Sequence, residues 1–117
     1  MKLLIYVLSH VEKLQSILKQ FNDQGLSGAT IIDSSGMGRE LTERDEFSIF
    51  GSMRALIDQN NRTTKTLFLV VEDDEVKKVE KVIEKVIGDL SKPDQGILFT
   101  IPLDYVKGFK KKKKEAK

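Results

Sequence analysis

Leu3-Leu4-Ile5-Tyr6-Val7-Leu8-Ser9-His10-Val11-Glu12 runs from an almost wholly apolar hexapeptide straight into a helix-start signal. A continuous apolar run of this length reads as a strand covered on both faces or at a sheet centre, because a half-exposed strand would alternate with polar residues. Ser9 with Glu12 three residues later has the pattern of a capping box, which predicts a helix with Ser9 at its N-cap. Val11, Leu14, Ile17, Leu18 and Phe21 then recur at helical spacing as one apolar stripe, and Gly25 supplies a left-handed stop. A second strand is expected from about Ala29 to Ser34.

The same order of signals returns further on. Thr66-Leu67-Phe68-Leu69-Val70-Val71 is a strand rich in β-branched and aromatic residues. Glu72-Asp73-Asp74-Glu75 places acids where a helix macrodipole favours them. The helix they start has Val76, Val79, Val82, Ile83, Val86 and Ile87 inward and can end at Gly88. Asp89 to Gly96 reads as a loop, and Ile97 to Ile101 as a last strand closed by Pro102, which has no N–H for a ladder. Two β-α-β halves imply an α+β, ferredoxin-like βαββαβ fold: an antiparallel four-stranded sheet with two helices on one face. The other face then lacks cover, and strands this apolar would expose a patch that self-association removes.

Composition bounds the function classes. The 117 residues suffice for one core and not for two, and 39% apolar with 32% charged residues suits a soluble globular domain, expected in the cytoplasm. The absence of cysteine excludes disulfides and thiolate metal sites. The first apolar run is too short for a signal peptide, and none approaches the roughly 18 residues of a membrane span. The net charge of +2 divides into +5 on residues 110–117 and −3 on residues 1–109. A lysine run repels itself and buries nothing, so the expected organisation is a folded domain over 1–109 and a disordered tail over 110–117. Without interleaved aromatics the tail reads as solubilising, and no nucleic-acid partner is expected.

Gly36-Met37-Gly38-Arg39 follows the second strand. Glycine serves where the backbone turns with positive φ or approaches another group closely, and such a turn at a strand end can offer N–H groups and a guanidinium to a phosphate. The plainer alternative is a hairpin loop with a solvated arginine. Residues 40–65 exceed what the minimal fold requires. Glu40 to Glu46 is charged and expected to be flexible, whereas Phe47, Phe50, Met53, Leu56 and Ile57 at near-helical spacing allow a short amphipathic helix. The single histidine, His10, reads as a helix-end surface residue and the Glu72–Glu75 cluster as macrodipole acids. No catalytic residue, metal site or obligatory cofactor is expected.

Gly25-x-x-Gly28-x-Thr30, Gly36-Met37-Gly38-Arg39, Asp73-Asp74-Glu75-Val76 and Gly96-Ile97-Leu98-Phe99-Thr100-Ile101-Pro102-Leu103 together resemble the PII nitrogen-regulatory superfamily. The resemblance covers most of the chain. It implies a homotrimer whose sheets line a central barrel, adenine nucleotide bound between subunits, and a T-loop (about 40–65) that touches a target enzyme, transporter or regulator, in nitrogen metabolism for many members. It implies nucleotide contacts from Thr30, Gly36, Met37, Gly38, Arg39, Gly96 and Lys110. The departures are specific. Isoleucine, Ile97, stands where the family's phosphate-binding B-loop carries lysine. Only Lys110 matches one of two basic residues in the family's C-terminal pattern, and the T-loop segment has no tyrosine. The expectation is therefore a PII-like regulator. The alternative is a trimeric scaffold without ligand that presents residues 40–65.

Overall fold

The computed structural model describes residues 1–42 and 63–109. Its strands are β1 (Lys2–Leu8), β2 (Thr30–Ser34), β3 (Thr64–Val71) and β4 (Ile97–Pro102). The helices are α1 (Leu14–Asp23), α2 (Met37–Thr42) and α3 (Val76–Ile87). The strands form one sheet in the order β2-β3-β1-β4, with every pair antiparallel. This is the ferredoxin-like α+β arrangement. The two most continuously apolar strands, β1 and β3, take the centre, and Pro102 ends an edge strand opposite Lys2, where a missing N–H is tolerated.

The register sorts side chains onto two faces. Leu4, Tyr6 and Leu8 of β1 join Leu67, Leu69 and Val71 of β3 under the helices, with Ile17 and Phe21 from α1 and Val79, Val82 and Ile83 from α3. Leu3, Ile5 and Val7 point the other way, level with Val70, Phe68 and Thr66 of β3 and with Ile101, Phe99 and Ile97 of β4. No described element covers that face, and Ile97, Phe99 and Ile101 remain 59%, 42% and 44% exposed.

The helix ends differ from the sequence reading in instructive ways. The Ser9 capping box does not form. The chain enters α1 through a 3-10 turn, Val11–Lys13, whose N-cap is His10 and in which the Lys13 N–H closes on the His10 carbonyl at 2.8 Å. His10 itself is drawn to a residue far away in sequence. The reach-back bond of a capping box is found instead before α3, where the Glu72 N–H donates to Glu75 Oε1 at 2.9 Å. Gly25 does stop α1, at φ +78°, and lets the Leu26 N–H reach the Phe21 carbonyl at 2.8 Å.

Gly36-Met37-Gly38 is not a left-handed hinge. The Gly36 carbonyl accepts the Glu40 N–H at 3.1 Å as the first bond of α2, and a Cβ on Gly36 would meet nothing within 4 Å. Glycine permits positive φ but does not demand it, and Glu40 in the first turn favours the helix. β3 begins at Thr64, two residues earlier than expected. The amphipathic segment 47–58, most of the T-loop-like stretch and the tail 110–117 lie outside the described residues.

Candidate functional site

The strand register places the candidate residues at two ends of the sheet. Gly36 and Met37 follow β2 just past Ser34, and Gly96 precedes β4 beside Val7 and Leu8, so all three lie at one end. They are not neighbours: β2 and β4 are opposite edges, three strand spacings or roughly 14 Å apart. Thr30 sits on the uncovered face, level with Phe68 and Ile5 and exposed. Gly28 lies two residues earlier, toward the opposite end, about 17 Å along the strands from Gly96. The backbone of Gly38 and Arg39 belongs to α2, and Lys110 lies outside the described residues.

At that opposite end is a cleft of about 360 Å³ lined by Ser27, Gly28, Val70, Val106, Lys107, Gly108 and Phe109. The segment after β4 builds it. The Leu103 N–H bonds the Met1 carbonyl at 3.1 Å, and residues 106–109 then line the cleft together with Val70 and the Ser27-Gly28 loop. Gly28 and Gly108 face the opening at φ +86° and +93°, and neither would clash with a Cβ, so their conformation and not their size keeps them glycine. Lys107 has no ion-pair partner among the described residues and is exposed. The sequence reading took Gly28 and Thr30 as a motif but missed Lys107 and Gly108. A Lys-Gly-Phe step after the last strand was the available signal, yet only the path of the chain brings it to Gly28.

The loop 89–96 is tightly organised. Asp89 accepts the Ser91 N–H at 2.9 Å and the Ser91 hydroxyl at 2.7 Å, and these bonds hold its carboxyl below the usual aspartate range. Asp94 takes φ +66° and Gly96 φ +89°. At Gly96 a Cβ would overlap the Val7 carbonyl and come within 2.9 Å of the Tyr6 hydroxyl, so no larger residue fits. Tyr6 is fully buried and donates its hydroxyl to the Gln95 carbonyl at 2.6 Å, while burial pushes its pKa up to about 12. At the far end of β1, Asp73 meets the N-terminal ammonium at 3.1 Å and Lys2 at 3.9 Å, which hold its carboxyl low.

On the uncovered face, Ser34, Thr64 and Thr66 link their hydroxyls at 2.6 and 2.8 Å and form a polar corner beside the apolar stripe. On the helix side, Asp33 of β2 pairs with Lys65 of β3. None of the described helices is long and apolar enough to cross a membrane. A family model described as nitrogen regulatory protein P-II matches the chain over residues 1–113. No curated protein sequence matches it.

Proposed function

The chain belongs to the nitrogen regulatory protein P-II family, a family of regulatory signalling proteins, and on that premise we propose that it senses a small anionic ligand, an adenine nucleotide, at sites shared between copies of the chain. One observation carries this reading. The cleft that offers Lys107 and two positive-φ glycines opens beside Val70 on the uncovered apolar face, so a copy packed on that face would border it. A homotrimer brings the Gly36–Arg39 and Gly96 end of one copy to the Gly28–Phe109 end of the next. It thereby joins half-sites that a single chain holds at opposite ends of the sheet, with Gly28 and Gly96 about 17 Å apart along the strand direction alone.

In this arrangement Thr30, Gly28 and the Gly36-Met37-Gly38 backbone hold the base and sugar, and Arg39, Lys107 and Lys110 meet the phosphates. With Ile97 in the B-loop's lysine position and Asp89 held ionised by Ser91, loop 89–96 supplies shape rather than charge, so recognition of the anion falls to the basic residues elsewhere. The ligand state is passed through residues 40–65 to a partner protein, in the regulation of nitrogen metabolism.

Calorimetric titration with ATP, ADP, AMP and cyclic adenine nucleotides tests the reading. Arg39→Ala and Lys107→Ala are each expected to weaken binding by about 1.5–3 kcal/mol, the range for hydrogen bonds to charged groups, with little change in the melting point of the free protein. Failure of the wild type to bind any of them at millimolar concentration discards the reading in favour of a ligand-free scaffold. Equal binding by wild type and both variants moves the site elsewhere.

A further inference from the structure

Gln95 is held at three points. Its backbone carbonyl accepts the Tyr6 hydroxyl at 2.6 Å, its Nε2 donates to the Ile87 carbonyl at 3.3 Å, and its Oε1 lies 3.2 Å from His10 Nε2. The Ile87 carbonyl belongs to the last turn of α3, where carbonyls lack helical partners, so the Gln95 amide caps that helix from outside. This contact also fixes which way the amide faces. Reversed, its oxygen would meet the Ile87 carbonyl, two acceptors with no hydrogen between them. With Oε1 therefore turned to the imidazole, His10 Nε2 carries the proton and donates. Nδ1 is left facing Glu12 Oε2 at 3.7 Å.

The backbone around Gln95 cannot compensate for the loss of this contact by sliding. Asp94 and Gly96 on either side both take positive φ, and Gly96 is wedged against the Val7 carbonyl and Tyr6. The side chain of Gln95 thus links the 3-10 turn ahead of α1 to the end of α3, one residue before Gly96. We propose that His10, acting through Gln95 as an Nε2–H donor, is a positioning residue for loop 89–96 and sets where Gly96 is presented. The consequence for ligand rests on the function proposed above; the positioning itself does not.

The test uses the full chain and four variants: His10→Phe, His10→Asn, His10→Gln and Gln95→Leu. Glutamine places an amide N–H where imidazole carries Nε2–H, whereas the shorter asparagine does not reach it. Amide hydrogen exchange across residues 89–96 is expected to quicken about three- to tenfold in His10→Phe and His10→Asn, the equivalent of one lost hydrogen bond, and at least as much in Gln95→Leu, which also loses the bond to the Ile87 carbonyl. His10→Gln is expected to restore near wild-type rates. Melting points are expected to fall in His10→Phe and His10→Asn by no more than about 8 °C, what one lost hydrogen bond accounts for in a domain of this size, and a larger fall, or quickened exchange throughout the chain, would overturn loop positioning in favour of general destabilisation. Unchanged exchange in all variants overturns the proposal, and so does failure of glutamine to rescue.

ATP affinity is expected to fall about three- to tenfold in the variants that loosen the loop. Loosened exchange with unchanged affinity would remove His10 from any role at the ligand site. If the wild type binds no adenine nucleotide, the proposed function fails and the positioning role stands or falls on the exchange data.

Discussion

The two faces of the sheet are built from alternate residues of the same strands, and by composition they are hard to tell apart. Leu4, Tyr6 and Leu8 have no exposed surface beneath the helices, while their neighbours Leu3, Ile5 and Val7 share the opposite face with Phe68, Val70, Ile97, Phe99 and Ile101. A face meant for water would alternate to polar residues, as antiparallel sheets with one solvated side do. Here it does so only along the β2 side, at Thr30 and at the Ser34, Thr64 and Thr66 corner. Apolar side chains on a strand therefore do not by themselves tell the face buried beneath the helices from the face left open.

The contrast is sharpest in cavity-forming substitutions. Leu69→Ala removes a side chain that is 2% exposed and is expected to cost about 2–5 kcal/mol in denaturant unfolding at any protein concentration. Ile101→Ala, on the uncovered face, is expected to cost under about 1 kcal/mol in the dissociated chain and more as concentration rises and a neighbouring copy is bound. An Ile101→Ala penalty as large as that of Leu69→Ala and independent of concentration would show that the open face is packed within the chain.

Tyr6 probes the covered face through pH. Its pKa is raised from 10.0 in the unfolded chain to about 12 in the fold, so the neutral hydroxyl is the form the fold prefers. The sign follows: the preference is fully present below pH 10 and is lost as pH rises toward about 12, because the unfolded chain ionises first. The loss amounts to about 2–3 kcal/mol. Tyr6→Phe forfeits the bond to Gln95 at neutral pH but is expected to show a shallower alkaline decline than wild type. Parallel declines would show that the hydroxyl is not buried.

Much of this architecture was legible in the sequence, because apolar runs and helical stripes report burial directly. Leu3 to Leu8, Leu67 to Val71 and the Val76 to Ile87 stripe gave strand, strand and helix, and their order gave the topology. What failed were the local grammars that a distant residue overrules. Ser9 and Glu12 spell a capping box, yet His10 is engaged with Gln95, 85 residues away, and the helix starts through a 3-10 turn. Gly36 and Gly38 spell a hinge, but glycine is equally at home in the first turn of a helix. The cleft was not legible because Lys107 and Gly28, far apart in sequence, come to line one cleft only through the path of the chain after β4, and no periodicity encodes such a path.

Phe99→Asp attacks the open face itself. An aspartate opposite Ile5 is expected to leave the fold of the single chain nearly intact, since residue 99 lies on the sheet face away from the helices, but a charge on that face disfavours burying it against a second copy. Light scattering after size exclusion is expected to give about three chain masses for wild type at micromolar concentration and one for the variant. A wild type that is monomeric over a dilution series would leave the face uncovered and the proposed shared site incomplete.

The smallest effect is expected where the uncovered face turns polar. Thr66 donates its hydroxyl to Ser34 at 2.8 Å, and Ser34 is also bonded to Thr64 at 2.6 Å. Thr66→Val keeps the branched shape and removes one bond without orphaning Ser34, so the loss should be about 0.5–1 kcal/mol, the net value of a hydrogen bond whose acceptor retains a partner. The trimer mass is expected to be unchanged, because the variant adds a methyl group at the edge of the stripe and no charge within it. A collapse of assembly in Thr66→Val would instead place the hydroxyl corner inside the contact. The contact would then extend along β3 past Phe68 to Thr66 and Thr64.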